Sequence, residues 1–175
     1  MFCHINYNVN KKLLREYFFS NFLKAKHHKT SGSEIFYWLK LFSGEELINP
    51  IIIDLGLDGL NVLPRFSFQY KNTILPEHID IDRIVGININ LMEDNIPTIH
   101  MNGVAYEYEC AILDVGSKVH SVESAEYDRL VLKLAFREPW NKIYDILRYK
   151  NLILSSECDR YQSILLEHDK KFVKI

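Results

Sequence analysis

A series of short segments in which every second residue is hydrophobic constrains the fold of this chain more than any other feature. The segments cover residues 66–70, 85–91, 106–112 and 129–136. Such alternation is typical of β-strands with one buried face, because successive side chains of a strand point to opposite sides. Several short strands at this spacing predict an antiparallel sandwich or barrel rather than alternating β–α units.

Helical spacing replaces the alternation before this region. Hydrophobic residues recur at helical intervals between Val9 and Lys26, which predicts a first helix. Ser31 and Glu34 form the Ser-x-x-Glu pattern of a helix start, and Gly44 is a plausible stop. The hydrophobic stripe of this second helix consists of Ile35, Trp38, Leu39 and Phe42.

The remaining segments complete the predicted architecture. The apolar run from Ile51 to Leu55 is interpreted as a buried strand. Helical spacing returns after Pro139, and a last helix is expected from Tyr161 to His168. We therefore predict one domain of the mainly β, α+β class. Its three parts are a helical N-terminal part (about 9–44), a β core (about 51–136) and C-terminal helices (about 139–170).

Composition limits the partners and the environment. Hydrophobic residues make up 47% of the 175 residues and charged residues 25%, which is enough apolar material for a packed core. The net charge of −2 gives no reason to expect nucleic acid as a partner. No apolar stretch is long enough to cross a membrane, and the N-terminus lacks a secretory apolar region. With three cysteines interpreted as free thiols, we expect a cytoplasmic protein.

The segment LPEHIDIDR contains a candidate metal motif, His78-Ile79-Asp80. About 0.4 His-x-Asp triplets are expected by chance in a chain with this composition, so the triplet alone decides nothing. In an extended strand, however, residues i and i+2 point to the same side. His78 and Asp80 could therefore reach one ion together.

A third ligand is expected from His120, 42 residues downstream and just before the strand that starts at Arg129. Two imidazoles and one carboxylate form the facial triad of non-haem iron(II) oxygenases. Such a triad leaves the opposite face of the ion open for substrates, unlike a closed structural zinc site. We therefore predict His78, Asp80 and His120 as the metal ligands and the catalytic centre.

Two strands provide candidates for the surrounding pocket. Arg129 lies on the face of its strand opposite the leucines, so it points into the barrel if those leucines pack on helices. A buried guanidinium requires a carboxylate, which a dicarboxylate bound to the metal at its other end would supply. On the strand 85–91, Gly86, Asn88 and Asn90 face away from the apolar side and are predicted to line a cofactor pocket.

The stretches HIDIDRIVGININL and LDVGSKVHSVESAEYDRLVLKLAF resemble the iron(II)/2-oxoglutarate-dependent dioxygenase superfamily. They are most similar to its aspartyl/asparaginyl β-hydroxylase-like and proline-hydroxylase-like branches, and the resemblance covers residues 66–136. It implies a double-stranded β-helix (jelly-roll or cupin-like) core. It further implies a His-x-Asp…His triad and a basic residue about ten positions after the distal histidine.

Carried onto this chain, the resemblance implies iron(II) on His78, Asp80 and His120, with 2-oxoglutarate held by Arg129. Asn88 and Arg83 are further candidates for the co-substrate pocket. The implied reaction hydroxylates an amino-acid or peptide side chain while 2-oxoglutarate is decarboxylated to succinate, with ascorbate as an optional reductant.

Two other functions stay open at this point. One is a cupin-like metal-dependent isomerase or epimerase, which would not need a buried arginine nine residues after the last ligand. The other is a non-catalytic ligand-binding protein on the same fold, which would have no need to keep all three ligands. The substrate is expected to be a small molecule or a peptide. The sequence gives no indication of the oligomeric state.

Overall fold

The computed structural model describes residues 1–29, 35–42 and 45–153, and within these ranges the chain forms eleven strands and three α-helices. The helices are α1 (Lys11–Ser20), α2 (Asn49–Asp54) and α3 (Trp140–Tyr149). The strands are β1 (Phe2–His4), β2 (Lys26–Lys29), β3 (Ile35–Lys40), β4 (Leu63–Gln69), β5 (Leu75–His78), β6 (Val85–Asn90), β7 (Thr98–Met101), β8 (Val104–Glu107), β9 (Cys110–Asp114), β10 (His120–Val122) and β11 (Arg129–Phe136).

The strands form two antiparallel sheets. The larger has the order β1-β9-β6-β11-β4-β3-β2, and the smaller has the order β5-β10-β7-β8. Their facing sides share one apolar cluster, in which Ile99 and Met101 of β7 pack with Ala111 and Leu113 of β9. This sandwich of two sheets, mainly β with flanking helices, confirms the predicted architecture.

The helices cover the outer face of the larger sheet. Leu14 and Phe18 of α1 and Ile143 of α3 belong to one buried cluster with the outward side chains of β4, β6 and β11. On β11 this outward set is Leu130, Leu132, Leu134 and Phe136. Because side chains alternate along a strand, the other residues of β11 point into the space between the sheets. The premise of the argument for Arg129 is therefore confirmed.

Two predicted elements are wrong. Three residues of the stripe assigned to a second helix lie in strand β3, which pairs with β2 and β4, and the fourth, Phe42, follows that strand. The run read as a buried strand, Ile51–Leu55, is largely helix α2, with Pro50 in its first turn. Short apolar runs fit both periods, and the aromatic segment IFYWLK can extend a sheet as readily as it can form a helix. Ser31, Glu34 and Gly44 lie outside the described residues.

Other predicted elements have the expected type but different boundaries in the structure. The first helix ends at Ser20 and is followed by a 3-10 turn, Phe22–Lys24, and by β2. The strand expected over 106–112 is divided into β8 and β9. The helix after Pro139 is confirmed as α3, whereas the last predicted helix, 161–168, lies outside the described residues.

Two observations concern the expected environment of the chain. Cys3 is disulfide-bonded, so the prediction of a free thiol is wrong for this residue, whereas Cys110 is a buried free thiol. Among the helices in the described ranges, none is long and apolar enough to span a membrane.

Candidate metal centre

The two histidines of the predicted triad lie directly opposite each other on neighbouring strands. His78 ends β5 and His120 begins β10, and their Cα atoms are partners in the antiparallel register. Their ring centroids are 4.2 Å apart. Asp80 follows β5 rather than continuing it, yet its Oδ1 lies 3.7 Å from Nε2 of His78. One ligand atom from each of the three residues lies within 4.8 Å of the others.

Backbone carbonyl groups set the orientation of both imidazoles. Nδ1 of His78 lies 2.9 Å from the Pro76 oxygen, and Nδ1 of His120 lies 3.1 Å from the Lys118 oxygen. A carbonyl oxygen can only accept, so each Nδ1 carries a proton, and Nε2 is the ring nitrogen available to a metal ion. Metal-binding histidines are usually fixed in this way by their other ring nitrogen.

The segment that carries Asp80 is held against the loop after β9. The Asp80 backbone N–H donates to the Val115 oxygen at 2.9 Å, and the N–H groups of Val115 and Gly116 both donate to the Ile84 oxygen. Gly116 permits this approach, because a Cβ there would lie 2.5 Å from the Arg83 oxygen and 2.7 Å from the Ile84 Cα. Both are backbone atoms, so the segment would have to move.

We therefore expect Gly116→Ala to lower the free energy of unfolding by about 1–3 kcal/mol, and to weaken metal binding through displacement of Asp80. Urea unfolding and a metal titration measure the two effects. Gly59→Ala is the matched control, since a Cβ at Gly59 meets nothing within 4 Å. Equal stability of the two variants would contradict the tight approach at Gly116.

Burial keeps the His120 ring neutral. Removal from water, and then the neighbouring His78, lower the pKa of His120 from 6.5 to about 4. A neutral imidazole is the form that binds a metal ion, so no proton has to be displaced from His120 near pH 7.

The same shift predicts acid sensitivity of the metal-free protein. Between pH 6.5 and about 4 the unfolded chain binds a proton at His120 that the folded chain does not, so stability falls as the pH falls through this window. We expect a loss on the order of 2 kcal/mol that His120→Gln largely removes. Urea unfolding at pH 6.5 and 4.5 with a chelator measures it, and an equal loss in both proteins would contradict the assignment.

The triad opens onto a cavity of about 370 Å³ between the sheets. Three of the predicted pocket residues, Arg83, Gly86 and Asn88, line it. The prediction is wrong for Asn90, whose Nδ2 donates to the carbonyl oxygens of Met92 and Asn95 away from the cavity wall. Its apolar wall consists of Leu75, Ile99, Leu113, Val115 and Ala135. Asn88 also donates from Nδ2 to the Tyr108 hydroxyl at 3.3 Å, and Arg83 Nη1 lies 3.4 Å from Asp80 Oδ2.

Two cations of the cavity wall were not predicted from the sequence. Lys133 of β11 and Arg65 of β4 are partners in the register of the larger sheet, and both line the cavity beside the triad. Burial, followed by repulsion from Arg65, lowers the pKa of Lys133 from 10.5 to about 7. The accessible part of this half-buried side chain faces the cavity. Its position four residues after Arg129, on the same face of the strand, was the signal available in the sequence.

Arg129 points into the barrel as predicted, but it lies away from the wall of the main cavity. It lines a second space of about 30 Å³ that adjoins the main cavity behind His120 and Lys133. Its guanidinium donates to the Thr98 carbonyl oxygen and also contacts the Tyr108 hydroxyl, whose pKa is raised by burial. A space of this size holds about one water molecule, so the residue that faces the triad cavity is Lys133.

The donor set fits a divalent transition metal. Two imidazole Nε2 atoms and one carboxylate oxygen suit iron(II), and one ligand atom from each residue already lies within 4.8 Å of the others. In the described part of the chain no fourth histidine, cysteine or carboxylate joins this group. The arrangement therefore leaves positions free on the cavity side, as a catalytic site requires.

No protein-family model and no curated protein matches the chain. A prolyl-4-hydroxylase from Pseudomonas putida matches with a TM-score of 0.58 and 16% identity, over 73% of this chain and 86% of that one. A Trichoplax adhaerens prolyl hydroxylase, solved with a hypoxia inducible factor peptide fragment, gives 0.58 at 8% identity over 78% and 82%. A DMSP lyase from Ruegeria pomeroyi gives 0.53 at 12% identity over 77% and 67%. At such identities the likeness shows the fold alone, a double-stranded β-helix, which confirms the predicted fold class.

Proposed function

We propose that this protein is an iron(II)- and 2-oxoglutarate-dependent oxygenase that hydroxylates an amino-acid or peptide side chain. One observation supports this most strongly: an open triad of His78, Asp80 and His120 shares a cavity with the half-buried cation Lys133. A metal ion and an ammonium group in one cavity can bind the two ends of a dicarboxylate.

His78, Asp80 and His120 would hold the iron. When bound, iron(II) supplies the dioxygen activation that couples decarboxylation of 2-oxoglutarate, to succinate and carbon dioxide, with hydroxylation of the substrate. The protein contributes by orienting these ligands. The carbonyl groups of Pro76 and Lys118 fix both imidazole rings before the metal arrives.

We assign the distal carboxylate of 2-oxoglutarate to Lys133 rather than to Arg129. Lys133 lines the triad cavity, whereas Arg129 already donates to the Thr98 oxygen behind it. Of the cations Arg65, Arg83, Lys133 and Arg129, Arg83 is the one that forms an ion pair with a carboxylate in the described residues. The charge of Lys133 is therefore available to pair with a bound carboxylate. Asn88 lies on the same wall and can donate to the co-substrate.

The apolar part of the cavity wall suits the carbon chain and the reaction. Ile99, Leu113 and Val115 present apolar side chains there, and the first two are almost fully buried. An apolar wall excludes water from the metal, which protects a reactive oxidant and strengthens the electrostatic contacts of the co-substrate.

Two measurements test this proposal. Anaerobic titration of the Mn(II)-loaded protein with 2-oxoglutarate measures binding, and we expect micromolar affinity that is lost without metal. Succinate formation from 2-oxoglutarate in the presence of iron(II), ascorbate and dioxygen measures turnover, and slow uncoupled formation is expected even without the substrate that is hydroxylated.

The outcomes separate the candidate functions. Metal binding without 2-oxoglutarate binding would contradict the oxygenase and favour a cupin-like lyase, isomerase or epimerase, which needs no co-substrate. Binding of neither metal nor 2-oxoglutarate would contradict both and favour a non-catalytic role on the same fold.

A further inference from the structure

We infer that Arg65 and Arg83, which both lie against the ring of Trp38, form a second anion site that binds a carboxylate or phosphate group of the substrate. The inference rests on the proposed function, because that function determines which charges of the cavity the co-substrate already compensates. It specifies the substrate class: a molecule that carries an oxyanion close to the carbon that is oxidised.

Trp38 of β3 brings the two arginines together. The guanidinium carbon of Arg65 lies 4.7 Å from the centre of the Trp38 ring, and that of Arg83 lies 5.9 Å from it. All three side chains line the triad cavity. Burial, and then repulsion from Arg83, lower the pKa of Arg65 to about 10, as expected when two like charges lie close together.

The environment of Arg65 indicates a bound ligand more strongly than that of Arg83 does. Its side chain comes from the inner face of the larger sheet and is only 9% exposed. Its Nε is buried and has no hydrogen-bond partner among the described residues. The face of Trp38 offsets only part of the cost of burying this charge. A bound oxyanion would satisfy both the charge and the unused donor.

The charges of the loaded cavity leave this arginine pair uncompensated. Iron(II) and Asp80 sum to about +1, 2-oxoglutarate adds −2 and Lys133 adds about +1, so these four cancel. The negative charge of Asp80 is already included in this sum, so it does not also compensate Arg83, which contacts it at 3.4 Å. Glu77 lines the cavity but is exposed to solvent, where its charge is screened.

Guanidinium groups match the proposed ligand in shape as well as in charge. Each offers a planar fork of donors that binds two oxygens of a carboxylate or phosphate at once. Two forks beside one aromatic ring would fix the orientation of the substrate relative to the metal. A free amino acid and an acidic or phosphorylated peptide satisfy this requirement.

The fluorescence of Trp38 provides a direct test. The chain has two tryptophans, so Trp140→Phe leaves Trp38 as the single tryptophan reporter. In this background, inorganic phosphate is titrated with and without Mn(II) and saturating 2-oxoglutarate, without oxygen. We expect a saturable change of Trp38 fluorescence that persists when 2-oxoglutarate is bound.

Variants assign the binding to the arginine pair. Arg65→Met and Arg83→Gln are each expected to weaken phosphate binding at least about 10-fold, whereas Arg137→Met, at an exposed cation, leaves it unchanged. Circular dichroism verifies folding. If Arg65→Met fails to fold, the test relies on Arg83→Gln, because Arg83 is only half-buried.

Three results would overturn the second site. They are the absence of saturable binding, direct competition between phosphate and 2-oxoglutarate, and an equal effect of Arg137→Met. The proposed function fails separately: phosphate binding by a protein that does not bind 2-oxoglutarate would support the anion site and overturn only the oxygenase.

Discussion

Replacing His78 with alanine is expected to abolish turnover and to weaken binding of a divalent metal by at least about 100-fold. Removing a ligand atom costs more than disturbing the residue that orients it, and the latter already costs about 10–100-fold. Two ligands, Asp80 and His120, would remain, and two ligands cannot form the facial arrangement that the triad provides. Calorimetric titration with Mn(II) measures affinity, and succinate formation measures turnover.

His100→Ala is the matched control for this variant. His100 is paired with Ser121 on the strand that carries His120, but its neighbours Ile99 and Met101 are the inward residues of β7. Its ring therefore points away from the cavity, where Nε2 lies 3.4 Å from Glu123. We expect this control to keep wild-type metal affinity. Unchanged metal binding in His78→Ala, or an equal loss in the control, would exclude the triad as the metal site.

The parts of the fold that depend on alternation could be predicted from the sequence. On β11, leucines at every second position require an apolar partner surface on one side, which leaves Arg129 and Lys133 on the other. The pairing of His78 with Asp80 could be predicted for a similar reason, although Asp80 lies just past the end of its strand. In these cases the local pattern and the tertiary packing favour the same arrangement.

The predictions that failed depended on contacts distant in sequence. The segment around Trp38 has helical spacing, yet it pairs with β4, whose edge is available only once the larger sheet has formed. Hydrogen bonds to that edge then outweigh a weak local preference. This error also hid the contribution of Trp38 to the cavity, since a helix at that position would not bring it beside Arg65.

The choice between Arg129 and Lys133 illustrates a second limit. Both side chains point to the same side of β11, so alternation cannot distinguish them. The difference is their level along the strand: Arg129 is opposite Gln69, whereas Lys133 is opposite Arg65 and Asn88. Which level coincides with the triad depends on how the smaller sheet is placed over the larger one. No periodicity within a single strand contains that information.

Lys133→Met should have two opposite effects, which together distinguish a binding residue from a structural one. The affinity for 2-oxoglutarate is expected to fall about 100-fold, because the buried carboxylate loses its charged partner. At the same time the metal-free protein should gain on the order of 1–2 kcal/mol at pH 6, because an ammonium group that is costly to bury is replaced by an apolar side chain of similar length.

The sign of the pH dependence follows from the lowered pKa of Lys133, about 7 in the folded protein against 10.5 in the unfolded chain. Between these values the unfolded chain binds a proton that the folded chain does not, so wild-type stability rises as the pH rises through this window. Lys133→Met removes this rise and should therefore stabilise the protein more at pH 6 than at pH 9.5. Urea unfolding at the two pH values measures the difference.

Binding of the co-substrate should show the complementary dependence. A bound carboxylate favours the charged form of Lys133, so 2-oxoglutarate binding takes up a proton above pH 7 and weakens as the pH rises, by up to about 10-fold per pH unit. Lys71→Met, at an exposed position, should change neither property. A Lys133→Met protein that is less stable than wild type yet binds 2-oxoglutarate normally would mean that Lys133 supports the fold. The co-substrate would then have to use Arg65, Arg83 or Arg129.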